Sequence, residues 1–164
     1  MIPVPIETER LVIRSFADDD IDRFTEIFTD PVVMQYISLR GYTVPDLLEM
    51  YGRRYRERGY TFWALCDRDG HVLGDVGFGT YEDSGDPELG WTLARDAWGH
   101  GYATEGARAC IDALFANTKH DRIVALVDTR NERSLRTAER IGMQRVGEVD
   151  HPWHAHTLFE VRRS

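Results

Sequence analysis

At 164 residues, with 42% hydrophobic and 29% charged side chains, the chain has the make-up of one globular domain over 1–164, long enough to bury a core. Its net charge of −8 excludes nucleic acid as the expected partner and favours either cationic, amine-bearing partners or a plainly solvated acidic surface. No apolar run is long enough to span a bilayer and Met1–Glu7 lacks the basic and apolar segments of a secretion signal, so the expectation is a cytoplasmic protein with no membrane role.

Arg10–Arg14 reads as a short strand, and Asp18–Phe28 carries Ile21, Phe24, Ile27 and Phe28 at helical spacing. Thr43-Val-Pro-Asp46 has the form of a capping box with proline in the first turn, opening a second helix that runs to about Arg58. Thr61–Cys66 is a strand, Asp69-Gly70 a hairpin turn, and His71–Tyr81 the antiparallel partner. A turn at Asp83–Pro87 leads into a strand over Glu88–Leu93. Cys66 and Cys110 fall in apolar patterns without ligand spacing, so both read as buried small hydrophobes.

The next segment, Trp91 to Glu105, predicts a strand, a tight glycine turn and a helix over Tyr102–Asn117. Gly99 and Gly101 let the backbone turn sharply and approach a ligand without side-chain obstruction. The following helix opens with unpaired N–H groups and the positive end of its dipole, which suits a phosphate-bearing ligand. Taken alone, the turn reads equally well as a mere connection. A buried strand over Arg122–Val127 follows, then a helix over Asn131–Ile141 closed by Gly142, then strands over Gln144–Val149 and His156–Val161. The order β-α-α-β-β-β-α-β-α-β-β predicts an α+β fold, a mixed sheet of mostly antiparallel strands with about four helices. Only Glu88–Val127 has the form of a parallel βαβ crossover.

Gly99-x-Gly101 with Asp128 beyond the next strand mimics part of a dinucleotide fingerprint, but the third glycine position is Thr104 and the βα alternation is missing. A P-loop is excluded because no Gly-Lys-Ser/Thr follows. The pattern resembles instead the GNAT family of acyl-CoA-dependent N-acetyltransferases, and within it the RimJ/RimL-type branch of ribosomal-protein N-terminal acetyltransferases. The residues that carry the resemblance are Glu7-Thr-Glu-Arg-Leu-Val-Ile-Arg14, Asp30-Pro31, Phe62-Trp-Ala-Leu65 with Val72-Leu-Gly74, Glu88-Leu-Gly-Trp91, Trp98-Gly-His-Gly-Tyr-Ala-Thr-Glu105 and Asn131-x-x-Ser134.

The resemblance implies a GNAT-like sheet with one splayed parallel pair, acetyl-CoA as cosubstrate, no metal, and an amine acceptor, either a small molecule or a protein N-terminus. It implies cofactor contacts from Trp91, Thr92 and Leu93 to the pantetheine arm and an oxyanion-type amide there. It implies that the diphosphate rests on amides of Trp98, Gly99, His100, Gly101, Tyr102, Ala103 and Thr104. The family's loop usually begins with Arg or Gln where this chain has Trp98. Asn131 would reach the pantetheine arm and Ser134 its sulfur, while the residues alone say only that Asn131 caps a helix. Many relatives place a proton-donating tyrosine where this chain has Ala138. A homodimer is a family-based expectation.

Glu88, on the strand beside the expected cleft, is the candidate base, with a solvated strand-end carboxylate as the plain alternative. Trp63, Tyr36 and Tyr42 are candidates for the amine side of the cleft, and packing explains each equally well. His151, His154 and His156 cluster without a carboxylate or cysteine to complete a zinc set, so a cleft wall is their expected role. Arg130, Arg133, Arg136 and Arg140 form a basic run, of which one is a candidate for the cofactor's terminal phosphate. The competing function on the same fold is a non-catalytic acyl-CoA sensor or scaffold.

Overall fold

The computed structural model describes residues 1–150 and 154–164. Its strands are β1 (Ile6–Glu7), β2 (Leu11–Arg14), β3 (Phe62–Asp67), β4 (Val72–Thr80), β5 (Pro87–Leu93), β6 (Arg122–Asp128), β7 (Gln144–Asp150) and β8 (Ala155–Arg162). The helices are α1 (Ile21–Thr29), α2 (Val44–Arg58), α3 (Tyr102–Asn117) and α4 (Glu132–Ile141). They flank one eight-stranded sheet in the order β1-β2-β3-β4-β5-β6-β8-β7. Every adjacent pair is antiparallel except β5 and β6. A doubly wound dinucleotide fold is thereby excluded, and the α+β mixed sheet is the one expected.

Local chemistry sets the element ends. Thr43 accepts from the Asp46 amide while the Asp46 carboxylate accepts from the Thr43 amide, so α2 begins on the predicted capping box. It stops at Gly59, whose φ of +80° suits a residue without Cβ. The first helix is shorter than its apolar spacing suggests: Asp18–Asp20 form a 3-10 turn, and Asp20 turns its carboxylate back to the Ala17 amide and to Arg14. Strand β1 was not expected. Two residues between Pro5 and Thr8 are too few to show an alternating pattern, and pairing with β2 alone defines them.

Two cores lie on opposite faces of the sheet. One packs α3 and Ala138, Ile141 of α4 onto Leu11, Ile13, Trp63, Leu65, Val76, Phe78, Leu89 and Leu93. The other packs Phe24, Ile27 and Phe28 of α1 and Leu47 and Tyr51 of α2 onto Ala64, Cys66 and Ala94. Both cysteines are free and buried, as their apolar settings predicted. No helix among the described residues is long and apolar enough to cross a membrane.

Strands β5 and β6 position the site. Their register holds at a single pair, Glu88 opposite Val124. On its other side β5 stays paired with β4 from Pro87 through Leu93. Past Glu88 the two parallel strands therefore diverge, leaving the β6-facing edge of residues 89–93 open. Gly74 keeps β4 close to the opposite, paired edge of β5: a Cβ there would fall 2.0 Å from the Thr92 carbonyl oxygen.

Candidate active site

A cavity of about 690 Å³ opens where the strands part. Its walls come from the end of β5 (Trp91, Thr92, Leu93), the glycine turn and the start of α3 (Trp98, Gly99, Gly101, Tyr102, Ala103, Thr104), and one face of α4 with its approach (Asn131, Ser134 and Arg130 among them). Segments 40 residues apart in sequence thus meet around one space, as their chemistry suggested. Of the loop residues expected there, His100 alone is not on the wall. Its imidazole is exposed, stacked beside Tyr102 at 5.4 Å between centroids.

The turn owes its shape to two glycines with left-handed backbones, Gly99 at φ +80° and Gly101 at φ +77°. Gly101 is the N-cap of α3, and no side chain caps that end of the helix. The first-turn amides consequently lack side-chain acceptors, and the dipole's positive end faces the cavity wall. A Cβ on Gly99 would meet nothing within 4 Å, so the loop is open on that side. An anionic group fits these donors; a bulky neutral one would leave them unsatisfied.

The loop is braced from behind by residues the sequence reading left without a role. Glu105, in the first turn of α3, accepts from the Thr8 hydroxyl (2.6 Å), the Arg10 amide (3.0 Å) and Arg10 Nε (2.6 Å). Arg10 also donates to the His100 carbonyl at 2.7 Å and lies 4.7 Å from the Tyr102 ring centroid. Partial burial pushes the Glu105 carboxyl up, but the Thr8 hydroxyl, the Arg10 amide and the Arg10 guanidinium together hold it below the usual range. The only signal was that Thr8-Glu-Arg10 and Glu105 sit at the ends of two motifs, which gives no hint that they touch.

On α4, the Asn131 carboxamide oxygen accepts from the Ser134 amide at 3.2 Å, so Asn131 caps the helix and also lines the cavity. Ala138, one turn beyond Ser134, is fully buried in the core and lies off the cavity wall. Asp128 grips Arg130 through two contacts of 2.9 and 2.8 Å, and that hydrogen-bonded pairing lowers the Asp128 pKa to about 2. Trp98 fastens the turn to β5 by donating Nε1–H to the Leu93 carbonyl at 2.9 Å.

Glu88 sits at the apex of the fork rather than on the cavity wall. Leu89 and Leu93 point into the core under α3, so alternation puts Glu88, Gly90 and Thr92 on the opposite face. Phe62 covers that face: a Cβ on Gly90 would come within 3.0 Å of its ring, and Tyr51 packs against Phe62 at 5.3 Å. Burial in these surroundings pushes the Glu88 carboxyl up to about 7, with Arg40 opposing and Glu82 adding to the shift. The same face holds Asp75, fully covered beside Thr92, where burial raises its carboxyl to about 7 while Thr92 holds it down.

The structure decides between the alternatives left open for the aromatic candidates. Trp63 is a core residue with no exposed surface, edge-on to Tyr55 and Phe78, and lines no cleft. The alternation of β3 turns it inward, which its aromatic character alone could not reveal. Tyr42 is half-exposed and off the cavity wall, whereas Tyr36 is on it, 5.4 Å from the Arg130 guanidinium. His151 lies outside the described residues; His154 and His156 belong to no potential metal cluster among them, and His156 Nδ1 lies 2.8 Å from the His154 carbonyl.

Comparison with known proteins agrees with this geometry. A family model described as "Acetyltransferase (GNAT) domain" matches residues 10–144. "Uncharacterized protein YkkB" of Bacillus subtilis (strain 168) is 37% identical over 143 residues, covering 83% of each chain. Among solved structures, a GNAT-family acetyltransferase from Bacillus anthracis superposes with a TM-score of 0.80 at 27% identity, covering 96% of this chain and 97% of that one. Spermidine N-acetyltransferase from Vibrio cholerae, in complex with CoA and spermine, shares the fold with a TM-score of 0.77 at 15% identity, covering 94% and 96%.

Proposed function

The chain belongs to the GNAT acetyltransferase family, and from that premise we propose that it transfers an acetyl group from acetyl-CoA to a primary amine by direct attack in a ternary complex. The observation that carries this reading is the placement of Glu88. It stands where β5 and β6 part, with an uncapped helix end and its amides opening onto the space beyond.

Acetyl-CoA supplies the activated acyl group. Amides of 99–104 hold its diphosphate, and the unpaired edge of Trp91–Leu93 hydrogen-bonds its pantetheine arm. One amide of that edge faces the acyl oxygen, where a donor is worth most as charge develops. Asn131 steadies the arm, and Ser134 lies one helical turn ahead of the buried Ala138. Without a tyrosine on this helix, departure relies on the thiolate's own pKa of about 8.5, close enough to neutrality to need modest help.

Glu88 takes the amine's proton, directly or through a water. A base with a pKa of about 7 is matched to that task, since a large share of it is ionised near neutral pH yet it binds a proton well. The acceptor most easily served is an α-amine. At pKa about 7.8 it costs roughly 1 kcal/mol to deprotonate at pH 7, against roughly 4.6 kcal/mol for a lysine side chain near 10.4. That preference agrees with the RimJ/RimL-type character of the motifs, whose named substrates are protein N-termini.

The test is release of CoA thiol from acetyl-CoA across a panel of α-amino peptides, lysine peptides, polyamines and aminoglycosides. Turnover with at least one amine, fastest among the α-amines, is expected. Tight CoA binding with no turnover on any of them would assign the fold to an acyl-CoA sensor instead.

A further inference from the structure

Four arginines, Arg130, Arg133, Arg136 and Arg140, reach the cavity wall in a protein of net charge −8, and they are not equivalent. Arg130 is committed to Asp128, and Arg136 pairs with Glu132 at 3.5 Å. Among the described residues, no carboxylate lies within ion-pair distance of Arg133 or Arg140. Arg133 is nevertheless placed: its guanidinium carbon lies 3.4 Å from the centre of the Trp98 ring. That ring is itself fixed, because its indole N–H is bonded to the Leu93 carbonyl.

Resting on the reading above, we propose that Arg133, stacked on Trp98, is a diphosphate-binding residue: α4 supplies the cation that the glycine turn lacks. From Trp98 to Glu105 the turn contains no arginine or lysine, and His100 faces away from the cavity wall. A guanidinium lying flat on an aromatic face keeps its N–H donors free around its edge, in the geometry that suits phosphate oxygens. Trp98 immediately precedes Gly99, so the platform that orients Arg133 adjoins the amides proposed for the same anion. The loop position held here by Trp98, where the family usually has Arg or Gln, thus receives a cation from across the cavity. Arg140 lies seven residues further along α4, roughly 10 Å down the axis, and is too distant to share that anion.

The experiment measures binding of CoA, 3′-dephospho-CoA and pantetheine to the intact protein and to Arg133→Gln, Arg133→Lys and Trp98→Phe. Arg133→Gln should weaken CoA and 3′-dephospho-CoA equally, by about tenfold, and flatten the salt dependence of CoA affinity, with pantetheine affinity unchanged. Trp98→Phe keeps a stacking face and should lose less than threefold; Arg133→Lys keeps the charge without the fork and should fall between. Equal CoA affinity in Arg133→Gln and the unaltered protein overturns the assignment. So does a loss confined to CoA, which would place Arg133 on the 3′-phosphate, or an equal loss for pantetheine, which would show a structural role. Absence of CoA binding by the unaltered protein would instead defeat the proposed function itself.

Discussion

On the cavity side of the β5–β6 fork, the donors are main-chain amides presented by Gly99, Gly101 and the first turn of α3. On the opposite face, at the apex, the base we propose is a side chain, Glu88, whose character is set by burial near Phe62 and by Arg40 and Glu82. Amide donors depend on backbone shape and tolerate changes in nearby side chains. A carboxyl tuned by neighbours from three separate segments depends on every one of them. The first half should therefore respond to substitutions through affinity for the cofactor and the second through rate and pH.

The largest effect expected is on Glu88→Gln. With saturating acetyl-CoA, kcat at pH 7 should fall about 100-fold while the Kd for CoA stays within twofold. In the unaltered protein the rate should rise as pH increases through about 7, because Glu88 must lose its proton to act. In Glu88→Gln that limb should move up to the pKa of the amine itself. A matching loss of CoA affinity would mean that the two halves are not separable.

Gly101→Val tests the other half. At φ +77° a β-branched residue is strained by roughly 1–2 kcal/mol, and the loop must shift to relieve it. CoA affinity should drop about tenfold by calorimetry, and the rising limb near pH 7 should persist in the residual activity. A changed limb would tie the turn to Glu88 in a way the geometry does not predict.

Glu105→Gln should act more gently, through the brace behind the turn. The pair with Arg10 is half-exposed, so its loss is worth about 1 kcal/mol and about 3 °C in Tm, with CoA affinity reduced about threefold. An unchanged CoA affinity would show that the turn holds its shape without Thr8 and Arg10.

The same contrast decides what the sequence disclosed. The turn was legible because glycine spacing, a strand before it and a helix after it are local features, and Asn131-x-x-Ser134 is likewise a single turn of helix. The single parallel pair followed from one βαβ crossover among hairpins. Contacts between distant segments were not legible. Thr8 and Arg10 meet Glu105 across 95 or more residues, and Phe62 lies over Gly90 only because β3, β4 and β5 align in register. For Trp63 the sequence left a cleft role and a packing role equally open, and alternation along β3 places it in the core.

The most direct measurement is a crystal structure of the protein with CoA bound. The account places the diphosphate within hydrogen-bonding distance of amides between Gly99 and Thr104, with the pantetheine arm along the open edge of Trp91–Leu93 and the sulfur toward Glu88. A diphosphate bound elsewhere, or β5 and β6 paired along their whole length, would contradict it.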